Sequence, residues 1–295
     1  MCGRNCAPAH ALKAYSHTDA DAKSLLPHVS KYTEMATLMK LPFWIFTEDS
    51  KPIGIVTTGK EPMQLLAPIG TPVATVDLIQ KNLNPKILDE FATQSLKLAL
   101  EKEAQHATIE FASDEKDAIN SFLKADFRVL AETFTMTLPL DHDFDPSEHL
   151  QFTQAEQKEM PRWVIAARKF LAGSADVVME RILEQLTDFP KNLLEMYHSL
   201  EKFYFVNKDD CGVGILNFSP KAGRISNIGV DPSKRGQGIG RQIMMFGLKQ
   251  LKAADCSQAK LRVHVDNKPA LNLYKSLGFK VAERRKFLIW EKSEV

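Results

Sequence analysis

Val230-Asp231-Pro232-Ser233-Lys234-Arg235-Gly236-Gln237-Gly238-Ile239-Gly240-Arg241 is the stretch on which the reading of this chain turns. Before it lies Arg224-Ile225-Ser226-Asn227-Ile228-Gly229-Val230, which reads as a strand. After it, apolar positions at Ile239, Ile243, Phe246, Gly247 and Leu251 follow the spacing of a buried helix face. A strand, a turn rich in glycine and cations, and then a helix form a device for holding a pyrophosphate. The first N–H groups of a helix lack intrahelical partners, and the helix dipole favours negative charge beside them. Glycine lets the backbone approach the anion closely and take positive φ. Arg235 and Arg241 add charge suited to phosphate oxygens.

Two familiar phosphate loops fail on spacing. A P-loop requires Gly-Lys-Ser/Thr, which occurs nowhere in the chain. A dinucleotide fingerprint requires a third Gly or Ala at 241 or 243, where the chain has Arg241 and Ile243. A dinucleotide-dependent oxidoreductase is therefore disfavoured. What remains is Arg-x-x-Gly-x-Gly, at Arg235, Gly238 and Gly240. Downstream come Leu261-Arg262-Val263-His264-Val265 as a strand, then Asn267, Ala270 and Leu273-Tyr274-Lys275-Ser276-Leu277-Gly278-Phe279. The loop and this second block, in that order, resemble the coenzyme A site of the GNAT-type N-acyltransferase superfamily.

The resemblance implies an α+β fold, a mixed and mostly antiparallel sheet flanked by helices. It also implies acetyl (acyl) transfer from acetyl-CoA, as co-substrate, to an amine acceptor of small-molecule or peptide kind. The pantetheine arm would lie along Ile228, Gly229 and Val230. The phosphates would sit on Arg235, Gly236, Gln237, Gly238, Ile239, Gly240 and Arg241, with Asn267 bonding cofactor or fixing the turn before its helix. Tyr274 is the expected general acid for the departing CoA thiolate, because a phenol near 10 keeps its proton above a thiol near 8.5. Many relatives carry a Glu general base on the strand before the loop. Here that strand offers Ser226 and Asn227, neither of which is a base. His264, Glu283, Glu180 and Glu184 are substitutes to consider. A rival of another class is a non-catalytic acyl-CoA-binding regulator or scaffold; Tyr274 disfavours it.

Bulk properties narrow the setting. A chain of 295 residues suits two domains. The formal net charge of +1 gives no global reason to expect nucleic acid or an anionic membrane as partner. No apolar run approaches the ~18 residues of a membrane span, and no secretory pattern opens the chain. The expectation is a soluble cytoplasmic protein. Four cysteines are too few and scattered for a disulfide framework. Cys2, Cys6 and His10 are spaced for half a metal site, but Pro8 interrupts them, and no metal is expected.

The chain also repeats itself. Phe43-Trp44-Ile45-Phe46, a polar turn and Ile53-Gly54-Ile55-Val56 read as a hairpin. Phe203-Tyr204-Phe205-Val206, a polar turn and Val213-Gly214-Ile215-Leu216 read as another with the same spacing. Val76-Asp77 matches Val230-Asp231 at an offset of 154, which puts Asn84 at the place of Gly238 and Lys86 at that of Gly240. Asn84-Pro85 looks like an ordinary N-cap with proline at N1. Ser121 to Phe127 matches Leu273 to Phe279 at an offset of 152, with Phe122 where Tyr274 stands. The inference is two tandem GNAT folds. The first, residues 1–140, is a degenerate copy without the loop; the second, residues 148–295, binds acyl-CoA. The acidic, proline-punctuated stretch from Leu138 to Ser147 lies between them. Mycothiol synthase-like enzymes are similar in layout.

Overall fold

The structure, a computed structural model, describes residues 12–61, 63, 65–146, 149–185 and 190–293. Cys2, Cys6 and His10 lie outside them. The chain forms two compact units that interleave along the sequence, where a break near 140–148 was expected. One comprises residues up to Met63, Gly70–Leu130 and those from Lys286 on; the other comprises 65–69 and Ala131–Arg285.

The first unit runs β1 (Lys13–Ser16), α1 (Leu26–Leu38), β2 (Phe43–Glu48), β3 (Lys51–Lys60), β4 (Pro72–Leu78), α2 (Pro85–Glu101), β5 (His106–Ala112) and α3 (Lys116–Lys124). Next come β6 (Arg128–Pro139), β7 (Gln151–Gln154), α4 (Met160–Leu171), α5 (Val177–Gln185), α6 (Lys191–Leu200), β8 (Lys202–Lys208) and β9 (Cys211–Ser219). The chain continues with β10 (Arg224–Val230), α7 (Ile239–Ala253), β11 (Gln258–His264), α8 (Lys268–Ser276) and β12 (Lys280–Glu291).

Strand order in the first unit is β1-β2-β3-β4-β5-β12, and in the second β7-β8-β9-β10-β11-β6. Each sheet is antiparallel until its fourth and fifth strands, which are parallel. The sixth place is filled by exchange. Lys286–Glu291, from the end of the chain, closes the first unit, while Ala131–Pro139 of β6 serves the second by pairing with β11.

The two hairpins share their turn chemistry. Asp49 and Ser50 take φ of 47° and 63°, and Asp209 and Asp210 take 50° and 60°. Two successive left-handed residues match the right-handed twist of the flanking strands. Each hairpin then has a register shift, at Phe46/Thr47 and at Val206/Asn207.

Gly54 and Gly214 occupy the same place and are needed for the same reason. A Cβ on Gly54 would fall 2.1 Å from Phe91 Cζ, and one on Gly214 would fall 2.5 Å from the Gly229 carbonyl oxygen and 2.8 Å from Ile243 Cδ1. Strand and helix approach too closely for a side chain. In the first unit α2 thereby buries Phe91 against Phe46, Ile53 and Phe122. In the second, α7 buries Ile243, Met244, Leu248 and Leu251 on one face of the sheet, and α4 buries Trp163 and Phe170 with Ile215 on the other. Each such side chain contributes about 1.5–3 kcal/mol relative to exposure.

Strand pairing corrects the alignment of the repeats. Gly54 pairs with Leu78, and Gly214 with Val230. Past the strand ends, Ile79 N–H donates to Ile53 O at 2.8 Å, and Asp231 N–H to Val213 O at 2.9 Å. The offset at the loop is therefore 152, as at α3 and α8, and not 154. The Val-Asp match was a coincidence of two common residues. Asn84 stands at the place of Gly236, and Lys86 at that of Gly238. Among the described residues no helix is long and apolar enough to cross a membrane.

Candidate acyl-CoA site

β10 delivers the chain to the loop. A register shift between Ile225 and Asn227 places a bulge at Ser226, which bends the strand and increases its twist. The parallel ladder to β11 has a single registered pair, Arg224↔Lys260. Asn227, Ile228, Gly229 and Val230 continue paired with β9, so the edge of β10 that faced β11 is released just where the bulge lies. Gly229 is required by packing: a Cβ there would come within 2.9 Å of both Ile215 Cγ1 and Phe170 Cβ.

The loop opens with a short 3-10 turn, Pro232–Lys234, capped by Asp231, whose Oδ1 accepts from Ser233 N–H at 3.0 Å and from Ser233 Oγ at 2.7 Å. Lys169 Nζ lies 2.8 Å from Asp231 Oδ2. The Lys169 hydrogen bond, then those from Ser233, hold the Asp231 carboxyl down at about 2.

Gly236 and Gly238 follow with φ of 78° and 81°, Gly238 being the N-cap of α7. A Cβ on either would meet nothing within 4 Å, so glycine is needed there for backbone conformation. Gly240 differs: its nearest neighbours would be Leu273 Cδ2 at 3.5 Å and Val230 Cγ2 at 3.6 Å, ordinary contacts. The backbone N–H groups of Gly236, Gln237, Gly238, Ile239 and Gly240 donate to nothing among the described residues, whereas those of Arg241 and Gln242 bond to Gly238 O. Five successive free donors at the start of a 15-residue helix make an anion cradle.

The two arginines behave differently from expectation. Arg235 donates from Nε to Val230 O at 3.2 Å, and from Nη2 to Phe170 O at 3.1 Å and Ala172 O at 2.8 Å. It anchors the loop to carbonyls at the C-terminal end of α4, where the helix dipole favours a cation. Arg241 donates to Ser276 Oγ at 3.1 Å, linking α7 to α8. Asn267 caps α8, its Oδ1 accepting from Ala270 N–H at 3.2 Å. Tyr274, on α8, is half-buried and packs on Phe279 at 5.9 Å between ring centroids. Its hydroxyl makes no hydrogen bond among the described residues, and burial pushes it up to about 12.

Residues 176–279 match the family described as the acetyltransferase (GNAT) family. That segment holds β10, the cradle, α7 and α8 together. That segment is similar to the GNAT family. Across nearly the whole chain the fold is similar to a GCN5-related N-acetyltransferase from Sphaerobacter thermophilus (TM-score 0.66, 15% identity, covering 96% of this chain and 97% of that one). It is similar too to a tandem GNAT protein from the clavulanic acid biosynthesis pathway (TM-score 0.64, 13% identity, covering 97% and 100%). The fold is thus α+β, two tandem GNAT folds. In sequence, 81 residues are 36% identical to a mycothiol acetyltransferase of Thermobifida fusca, a match covering 28% of this chain and 25% of that enzyme. The chain spans about a quarter of the length of the relatives it matches.

Inside the matched segment lies a polar cluster whose buried carboxylate, Glu201, sequence reasoning missed. Glu201, between α6 and β8, is only 8% exposed. Its Oε1 accepts from Arg224 Nη2 and from Ser226 Oγ, each at 2.7 Å, and its Oε2 accepts from Asn217 Nδ2. Asn217 Oδ1 in turn accepts from Asn227 Nδ2 at 2.9 Å. In sequence Glu201 resembles any polar helix end; only the packing of β9 and β10 beside it buries it. His264, at the end of β11, accepts on Nδ1 from Asp266 N–H at 3.2 Å, and Glu283 pairs with Arg285 at 2.8 Å. Arg284 pairs with Glu132 at 2.8 Å. Among the described residues no group of three or more His, Cys, Asp or Glu is placed to hold a metal ion.

The first unit has closed the equivalent loop. α2 starts two residues earlier than α7 at the corrected offset, with Asn84 as N-cap. Asn84 Oδ1 accepts from Lys86 N–H at 2.9 Å, Asn84 O accepts from Ile87 and Leu88 N–H, and Pro85 has no N–H. The donors left open in the second unit are wound into a helix turn here.

Proposed function

We propose that the second unit is an acetyl-CoA-dependent N-acetyltransferase acting on an amine, and that the first unit carries no coenzyme site. The observation that carries the reading is the run of five free N–H donors from Gly236 to Gly240 at the start of α7. They suit the pyrophosphate of coenzyme A. The freed edge of β10 at Ile228, Gly229 and Val230 suits the amide-bearing pantetheine arm, whose groups replace the lost ladder to β11. An arm laid that way runs from the cradle back toward the bulge at Ser226 and sets the thioester beside it.

The reaction needs little from the protein beyond position, since a thioester is already activated. The amine lone pair attacks the carbonyl carbon, the C–N bond forms and the C–S bond breaks. The proton lost by nitrogen goes to water. A backbone N–H at the bulge meets the developing oxyanion. Tyr274, held near 12 by burial, stays protonated and donates a hydrogen bond to the departing sulfur. The proton that completes the thiol arrives as water re-enters, and Tyr274 ends as it began. Arg235 acts by holding the loop to α4, and Asn267 by setting α8, which carries Tyr274.

The matched relatives are named for acetyl transfer in mycothiol chemistry. The family match over residues 176–279 includes the cradle and α8, and the matches to those relatives cover a minority of either chain, so together they support the donor more strongly than the acceptor. The test is thiol release from acetyl-CoA across an amine panel, comparing the protein with Tyr274→Phe. Release that depends on amine and falls in the variant supports transfer. Binding of acetyl-CoA without release by any amine would favour a non-catalytic role.

A further inference from the structure

The chain Glu201–Asn217–Asn227 runs from the residue before β8 across β9 to the β10 bulge, and its hydrogen bonds have only one possible polarity. A carboxylate only accepts. Asn217 therefore turns Nδ2 toward Glu201 and Oδ1 away from it. That oxygen also only accepts, so Asn227 turns Nδ2 toward Asn217. What is left at the end of the chain is Asn227 Oδ1, an acceptor with no hydrogen bond among the described residues. Asn227 is half-buried and Asn217 is 4% exposed, so the orientation is set inside the protein and presented at its edge.

We propose that Asn227 Oδ1 holds an N–H of the attacking amine beside the thioester, and that Glu201 is a positioning residue that fixes the Asn227 amide through Asn217. This rests on the acetyl-transfer reading above. An amine about to attack must aim its lone pair at the carbonyl carbon, which leaves its N–H bonds needing an acceptor to one side. A carboxylate at that spot would favour the ammonium form, which has no lone pair to offer. A neutral amide oxygen orients the nitrogen without that penalty. The charge sits two residues back, on Glu201, balanced by Arg224. In the step itself the C–N bond forms, C–S breaks, CoA leaves as thiolate, and the nitrogen proton passes to water.

Glu201→Gln makes the assignment testable, because it keeps shape and hydrogen-bonding capacity while allowing the chain to reverse. The oxygen of the new side-chain amide would still accept from Arg224 and Ser226, but its nitrogen donates to Asn217, which flips and in turn flips Asn227. An N–H group then faces the amine. The assay uses hydroxylamine, an amine unprotonated at neutral pH, and follows CoA release, with acetyl-CoA affinity measured separately by calorimetry. We expect Asn227→Leu and Glu201→Gln each to lower kcat/KM for hydroxylamine about tenfold, through KM, with acetyl-CoA affinity unchanged. The double variant should lose no more than either single one, because both act on one group. Losses that multiply, or variants equal to the original protein, would overturn the assignment while leaving acetyl transfer standing. Failure of the original protein to bind acetyl-CoA would overturn both.

Discussion

Arg235 donates from Nη2 to the carbonyl oxygen of Ala172 at 2.8 Å, so the arginine of the glycine-rich loop fastens that loop to the end of α4. A role in shape and a role in phosphate charge predict different things for lysine. Lysine keeps the charge but loses the planar fork. Arg235→Lys and Arg235→Gln should therefore each lose about 1 kcal/mol of stability in denaturant unfolding. A lysine variant as stable as the original would show that charge alone suffices.

The glycines divide by cause. Gly238 sits at φ 81° and Gly240 in helical conformation with room for a methyl. Gly238→Ala should destabilise by about 1–2 kcal/mol and weaken acetyl-CoA binding. Gly240→Ala should gain about 0.5–1 kcal/mol from helix propensity and leave binding intact. Thermal unfolding and calorimetry on the pair would check this; equal losses would contradict it.

Tyr274→Phe should lower kcat about 10²-fold with acetyl-CoA affinity unchanged. Because burial pushes the phenol up to about 12, the rate should show no fall from its ionisation as pH rises to about 10. A descending limb near 9 that vanishes in the phenylalanine variant would mean a far more acidic phenol than burial produces.

Asp77, at the end of β4, stands where the second unit has Gly229 at the offset of 152. Burial first, and then the neighbouring Glu110 charge, raise its carboxyl from 3.8 to about 6. The folded state thus binds a proton more tightly than the unfolded one. The stability this confers is full below about 3.8, falls as pH rises through about 6, and is absent above. Asp77→Asn should stabilise the protein by up to ~3 kcal/mol at pH ~8 and by nothing at pH ~3.5. Unfolding curves at the two pH values read the difference directly.

Much of this was legible in the sequence, for identifiable reasons. The hairpins showed in paired apolar runs around polar turns, and the repeat showed because neither Gly54 nor Gly214 has room for a side chain. The loop was readable because positive φ at Gly236 and Gly238 demands glycine in a fixed spacing. The exchange of β6 and β12 was not readable, since a strand's own residues do not say which sheet it joins. The offset between the loops was not readable, because a chance Val-Asp match lies two residues out of step with the offset that strand pairing sets. The anchoring of Arg235 and the burial of Glu201 arise from residues distant in sequence or on neighbouring strands, beyond any local pattern.

The most direct test of a single coenzyme site is calorimetric titration with acetyl-CoA, on the original protein and on Gly238→Pro, which removes a cradle N–H and forbids positive φ. One site per chain, lost in Gly238→Pro, is the predicted result, because the cradle is open in the second unit and wound into α2 in the first. Two sites, or one that survives Gly238→Pro, would contradict it.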